Sequence, residues 1–158
     1  MSKEVKTNAM RFLDTKKIPY SFKNYDVGEF TDGITASEIS GTPLELSYKT
    51  LVTSGKSGGY FVFVIPVEAE LDMKKAAKSA GEKSVEMIPV KDITKVTGYV
   101  RGGCSPIGMR KLYKTVIDIS AENLEEFYVS GGRIGTSIKV SPKLLAGSIN
   151  AIFAEITA

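Results

Sequence analysis

The fold is decided by three consecutive pieces: Leu46-Ser-Tyr-Lys-Thr-Leu-Val-Thr53, Ser54-Gly-Lys-Ser-Gly-Gly59 and Tyr60-Phe-Val-Phe-Val-Ile65. The outer two are β-branched and aromatic, and the middle one supplies flexible turn residues, so the stretch reads as a β-hairpin. The second run has few polar positions, which predicts a buried strand near the middle of a sheet. In the first run, alternation puts Ser47, Lys49, Leu51 and Thr53 on one face and Leu46, Tyr48, Thr50 and Val52 on the other. Neither face is plainly a solvent face.

Towards the N-terminus, Val5, Ala9, Phe12 and Leu13 recur at helical spacing, which predicts an amphipathic helix over the first fifteen or so residues, ending before Pro19. A strand is expected over residues 20–25. Thr35-Ala-Ser-Glu38 matches a capping box for a short helix that Gly41 can close. Towards the C-terminus, Leu71, Ala76, Ala77 and Ala80 stand in a lysine-rich background before Gly81, the pattern of a surface helix over 70–80. The acidic residues Glu68, Glu70 and Asp72 fall at its start, where the helix dipole favours them.

A short helix over 92–96, strands over 112–119, 127–129 and 137–140, a helix opening at Ser141-Pro142 and a last strand over 151–156 complete the series. Strands outnumber helices and do not alternate with them. The expected fold class is therefore mixed α/β (α+β): a curved, barrel-like mixed β-sheet with surrounding helices, not a Rossmann or TIM architecture. No repeat or long linker divides the chain, so residues 1–158 are expected to form a single domain.

Composition narrows the chemistry. The sequence has no histidine and one cysteine, Cys104, which removes the Ser-His-Asp triad, the Cys-His dyad and nearly every zinc site; no metal and no cofactor is expected. A lone cysteine suits a reducing compartment, and neither an apolar leader nor a spanning segment is read in the sequence, so a cytoplasmic protein with no membrane partner is expected. Net charge is only +3, but it is unevenly placed. Between Asp92 and Asp118 stand Lys95, Arg101, Arg110, Lys111 and Lys114 with no acidic residue among them.

Three features could carry a site. Lys49, inside the first hairpin strand, is either an edge lysine reaching water along its methylene stem or a cation lining a pocket, where it could hold a phosphate or a polarised ester oxygen. Arg101-Gly-Gly-Cys-Ser-Pro-Ile-Gly108 is a turn or an anion-binding loop, and it lacks the Lys-Ser/Thr ending of a P-loop. Ser130-Gly-Gly-Arg-Ile-Gly135, between two strands, is explained by a hairpin connection, although backbone there could also approach a ligand closely. Cys104 has no histidine partner and reads as structural.

Taken in order, Tyr48-Lys-Thr-Leu51, Phe63-Val-Ile-Pro66, Glu70-Leu-Asp-Met-Lys-Lys-Ala76, Thr97-Gly-Tyr-Val-Arg-Gly-Gly103, Ser105-Pro-Ile-Gly108 and Val129-Ser-Gly-Gly132 resemble the YbaK/EbsC family of bacterial Cys-tRNA(Pro) deacylases. That family belongs to the superfamily of the editing domain inserted in bacterial prolyl-tRNA synthetases. The resemblance implies a free-standing trans-editing enzyme acting on mischarged Cys-tRNA(Pro), with prolyl-tRNA synthetase as partner. It places the pocket lysine on Lys49. Tyr20, Phe30, Thr50, Gly102 and Ser130 become substrate-binding positions, and Gly103 and Gly132 become backbone donors to the tetrahedral oxyanion.

It also implies that the substrate's own thiol attacks its ester, so that no protein nucleophile is needed. The basic residues Lys95, Arg101, Arg110, Lys111 and Lys114 would then meet tRNA phosphates. Two rival readings remain: an Ala-tRNA(Pro)-type deacylase in which water attacks, and a tRNA- or nucleotide-binding module without turnover.

Overall fold

In the computed structural model, residues 6–25 and 33–158 are described. The first helix, α1 (Asn8–Thr15), is capped by Thr7, whose hydroxyl accepts the Met10 N–H at 3.2 Å. Strand β1 (Tyr20–Asn24) and helix α2 (Gly33–Ser40) follow. The expected capping box is corrected here: α2 opens at Gly33, so Thr35 lies inside the first turn, while Gly41 closes the helix at φ +76° as expected.

The hairpin forms as read. Strands β2 (Tyr48–Gly55) and β3 (Tyr60–Pro66) pair antiparallel, with Lys49 opposite Ile65 and Thr50 opposite Val64. Leu46 belongs to a preceding 3-10 turn instead of the strand. Helix α3 (Met73–Ala80) has Asp72 as its N-cap, accepting from the N–H groups of Lys74 and Lys75, and Gly81 as a left-handed C-cap. Strand β4 (Val85–Met87) has no counterpart among the expected elements.

Helix α4 (Ile93–Thr97), β5 (Lys114–Asp118), β6 (Phe127–Ser130), β7 (Thr136–Val140), α5 (Pro142–Ile149, capped by the Ser141 hydroxyl) and β8 (Ile152–Ala154) complete the order. Two sheets result. One is mixed, in the order β4-β2-β3-β5-β8; the other is antiparallel, β1-β7-β6. The strands do not close into a barrel. The sheets meet at one corner, where an isolated bridge joins Ser47, just before β2, to Tyr128 of β6.

That corner follows from where the apolar side chains go. Phe63, Ile65 and Val116 pack with Ala76, Ala77 and Ala80 of α3 on one side of the mixed sheet. On the other side Tyr48, Val64 and Ile117 join Phe127, Ile138 and the buried face of α1 in the main core. The central strand β3 is thus covered on both faces, and Val62 to Ile65 are fully buried. At the start of β2 the two layers part and leave a cleft.

Candidate functional site

The cleft has a volume of about 430 Å³. Tyr48, Lys49, Thr50, Leu51 and Val52 all border it, so it wraps around the start of β2 instead of lying against one strand face. One wall is apolar, made by Val52, Ile88, Val90 and Ile93. Hydroxyls also line the cleft: Ser37, Thr42 and Ser47, which cluster together, and Ser130. Two cations, Lys49 and Arg101, stand among the described lining residues, and no carboxylate does. Such a cleft suits an anionic or ester-bearing ligand with one apolar portion.

Lys49 is half-buried, and none of the ion pairs among the described residues engages it. Beside it, Thr50 carries an orphaned group: its Oγ1 is buried from solvent and makes no hydrogen bond. A buried hydroxyl without a partner costs free energy, and native structures keep few of them. An unpaired hydroxyl and an uncompensated ammonium bordering the same cleft are what a site built for a ligand presents.

The glycine-rich loops divide their work. Gly102, at φ +87°, borders the cleft, and its N–H has no acceptor among the described residues. Gly103 and Gly132 are not brought to the cleft wall. The Gly103 N–H donates to the Val100 carbonyl at 3.0 Å, and the Gly132 N–H donates to Ser130 Oγ at 3.3 Å. What these two glycines provide is close approach. A Cβ on Gly103 would lie 2.8 Å from the Arg133 carbonyl carbon, and one on Gly132 would lie 3.0 Å from the Tyr99 ring and 3.2 Å from the Thr7 Cβ. Thr7 fastens the same loop by donating its hydroxyl to the Gly131 carbonyl at 2.6 Å.

Other expected positions separate in space. Tyr20 packs against the main core, where burial and the nearby Asp14 carboxylate raise its phenol above the ordinary value; Tyr25, five residues on, lines the cleft instead. Phe30 lies outside the described residues. Arg101 is at the cleft, and Lys95 stands on α4 near Ile93, in a long 3.5 Å pair with Asp92. Arg110 lies over Gly98, and Lys111 is exposed beside it. Lys114 is elsewhere: it pairs with Phe61, four residues and ~13 Å along β3 from the strand end that holds Lys49's partner, and its ammonium reaches the Ala80 carbonyl at 3.4 Å.

Cys104 also borders the cleft, but burial pushes its thiol up to about 11, against a smaller opposing effect of the Thr97 hydroxyl. It is a neutral thiol at physiological pH and a poor nucleophile.

Comparison with known proteins identifies the family. Residues 34–147 match the family model of the aminoacyl-tRNA editing domain. The chain is 43% identical over 155 residues to EbsC of Enterococcus faecalis, which is named as a candidate Cys-tRNA(Pro)/Cys-tRNA(Cys) deacylase; the match covers 96% of this chain and 93% of that one. It is 28% identical over 100 residues to a proline–tRNA ligase of Fervidobacterium nodosum, covering 61% of this chain and 17% of the ligase. A crystal structure described as a candidate trans-editing enzyme for prolyl-tRNA synthetase superposes with a TM-score of 0.83 at 20% identity, covering 96% of this chain and 95% of the other. A hypothetical protein of known structure does so at 0.85 and 21%, with 96% and 99% covered. The matched segment contains the hairpin, both glycine-rich loops and most of the cleft wall, and the chain belongs to the aminoacyl-tRNA editing domain family.

Proposed function

We propose that this protein is a trans-acting deacylase that cleaves the ester of mischarged aminoacyl-tRNA, with Cys-tRNA(Pro) as its leading substrate. The observation that carries the reading is the near full-length 43% identity to EbsC, combined with a cleft whose bordering Lys49 and Thr50 have unused charge and hydrogen-bonding capacity. The likeness of part of the chain to a proline–tRNA ligase supports prolyl-tRNA synthetase as the partner that supplies tRNA selection. Action in the cytoplasm, where mischarging occurs, goes with this role.

The chemistry asks little of the protein. The substrate's cysteine sulfur attacks its own carbonyl carbon, the tetrahedral intermediate expels the ribose oxygen, and the thiol proton ends on that oxygen. A cyclic thiolactone leaves and free tRNA remains. A thiol of ordinary pKa, about 8.5, has some thiolate at neutral pH, and oriented intramolecular attack can reach effective molarities of roughly 10⁵ to 10⁸ M. Lys49 holds the terminal phosphate or the ester oxygen, and the Gly102 N–H, which has no acceptor among the described residues, is a backbone donor available to the oxyanion. Gly103 and Gly132 shape the loops that present it.

Incubation with Cys-, Ala- and Ser-tRNA(Pro), following the ester, tests the proposal. Preferential loss of Cys-tRNA(Pro) is expected. Loss of Ala-tRNA(Pro) alone would reject it in favour of water attack in a size-sorting pocket, and binding without loss would mark a module without turnover.

A further inference from the structure

Three hydroxyls lining the cleft form a closed triangle. Ser37 Oγ is 3.2 Å from Ser47 Oγ, and Thr42 Oγ1 is 3.1 Å from each of them. All three residues border the cleft, and all are more than nine-tenths buried, at 4%, 8% and 6% exposure for Ser37, Thr42 and Ser47. They come together because the end of α2 and the turn before β2 fold back on each other. No single motif in the sequence holds them.

Each of the three has an acceptor within reach for its proton. Ser37 donates to the Thr42 carbonyl and Ser47 to the Pro43 carbonyl, each at 2.8 Å, and Thr42 donates to Ser37 Oγ. Each hydroxyl oxygen has two lone pairs. With that arrangement, and with Ser40 Oγ 3.1 Å from Thr42 Oγ1 able to add one more proton, at most two protons serve three oxygens, and the surplus is of acceptors. The C-terminal end of α2 adds to this negative character, and the Lys23 ammonium is already drawn to the Ser40 carbonyl there at 3.1 Å. A buried surplus of acceptors at a helix C-terminus, in a cleft whose described lining has no carboxylate, fits a cationic donor.

Resting on the reading of the cleft as an aminoacyl ester site, we infer that Ser37, Thr42 and Ser47 bind the α-ammonium of the aminoacyl group. The triangle orients the amino acid about its Cα so that its side chain and carbonyl lie towards Lys49 and Gly102. It is a positioning device that selects an α-amino acyl ester over other esters, and it carries no proton in the reaction.

The test compares two esters of the same tRNA(Pro), cysteinyl and 3-mercaptopropionyl, which keeps the thiol and lacks the amine. With Thr42→Val, an isosteric change, kcat/KM for the cysteinyl ester should fall at least tenfold more than for the mercaptopropionyl ester. Ser47→Ala should show the same selective loss, so the result does not depend on one variant folding well. Equal losses on the two esters would assign the triangle to stability alone and overturn the inference, as would no loss on either. Failure of the unsubstituted protein to cleave the cysteinyl ester would instead overturn the deacylase reading, and this inference with it.

Discussion

The backbone at Gly103 lies so near Arg133 that a Cβ there would stand 2.8 Å from the Arg133 carbonyl carbon and 2.9 Å from its Cα. The obstacle is main chain, so relief requires one glycine-rich loop to move against the other. Gly102, on the first loop, and Ser130, at the root of the second, both border the cleft. Gly103→Ala should thus cost about 1–3 kcal/mol in a urea melt and depress kcat/KM as the loops separate. Full activity with unchanged stability would mean the loops are not held in register by this contact.

Lys49 calls for a different signature. Its ammonium has no counter-ion among the described residues, so its removal leaves no buried charge unpaired. Lys49→Ala should lower kcat/KM for Cys-tRNA(Pro) by about 10²-fold or more while changing stability by less than about 1 kcal/mol. Lys49→Arg, which keeps the charge but alters its shape and reach, should fall between. An active alanine variant would remove the lysine from the mechanism.

Thr50 should show stability and activity moving in opposite directions. Its Oγ1 is buried and unsatisfied, so replacing that hydroxyl with a methyl removes a desolvated polar group at nearly constant volume. Thr50→Val is expected to raise the unfolding free energy by about 1 kcal/mol and to lower kcat/KM roughly tenfold, the trade expected of a binding group kept at a cost to folding. Calorimetry and single-turnover kinetics on the same sample decide it; a destabilised variant would show that the hydroxyl has a partner.

Cys104 supplies a pH test. Its thiol has a folded pKa of about 11, raised by burial above the unfolded value of about 8.5. Below about pH 8.5 both states keep the proton and stability is unaffected. Above it the unfolded chain ionises first, so the unfolded state binds fewer protons and stability falls as pH rises towards 11. Cys104→Ala should flatten that decline in denaturant melts between pH 8.5 and 11, and should retain turnover because the thiol is no nucleophile. The native thiol should also resist alkylation at pH 8 until denaturant is added.

Much of this architecture is legible because its signals are local. The hairpin turn 54–59, the Asp72 and Gly81 caps of α3 and the Ser141-Pro142 opening of α5 each lie within a few residues of what they determine. Strand β4 is three residues long with Glu86 and Met87 exposed, so it has no periodicity, and only pairing with β2 makes it a strand. Tyr25 rather than Tyr20 reaches the cleft because the chain passes it at the end of β1, a placement that alternation within the strand does not reveal. The hydroxyl triangle needs a helix end and a turn in contact before it exists at all.

Charge that is contiguous in sequence is likewise divided in space, and salt dependence can read the division. Arg101 borders the cleft and Lys111 is exposed, whereas β5 carries Lys114 away from the cleft, against the Ala80 carbonyl. Each ammonium or guanidinium that neutralises a tRNA phosphate contributes about 0.7–0.9 to the slope of log affinity against log salt. Arg101→Ala and Lys111→Ala should each reduce that slope by nearly one for Cys-tRNA(Pro), and the loss should persist on a minihelix that retains only the acceptor stem. Lys114→Ala should leave the slope as it was, because its position turns it away from any acceptor end seated over Lys49. An equal reduction from all three would mean that the tRNA wraps around the sheet and meets more of the protein than the cleft mouth.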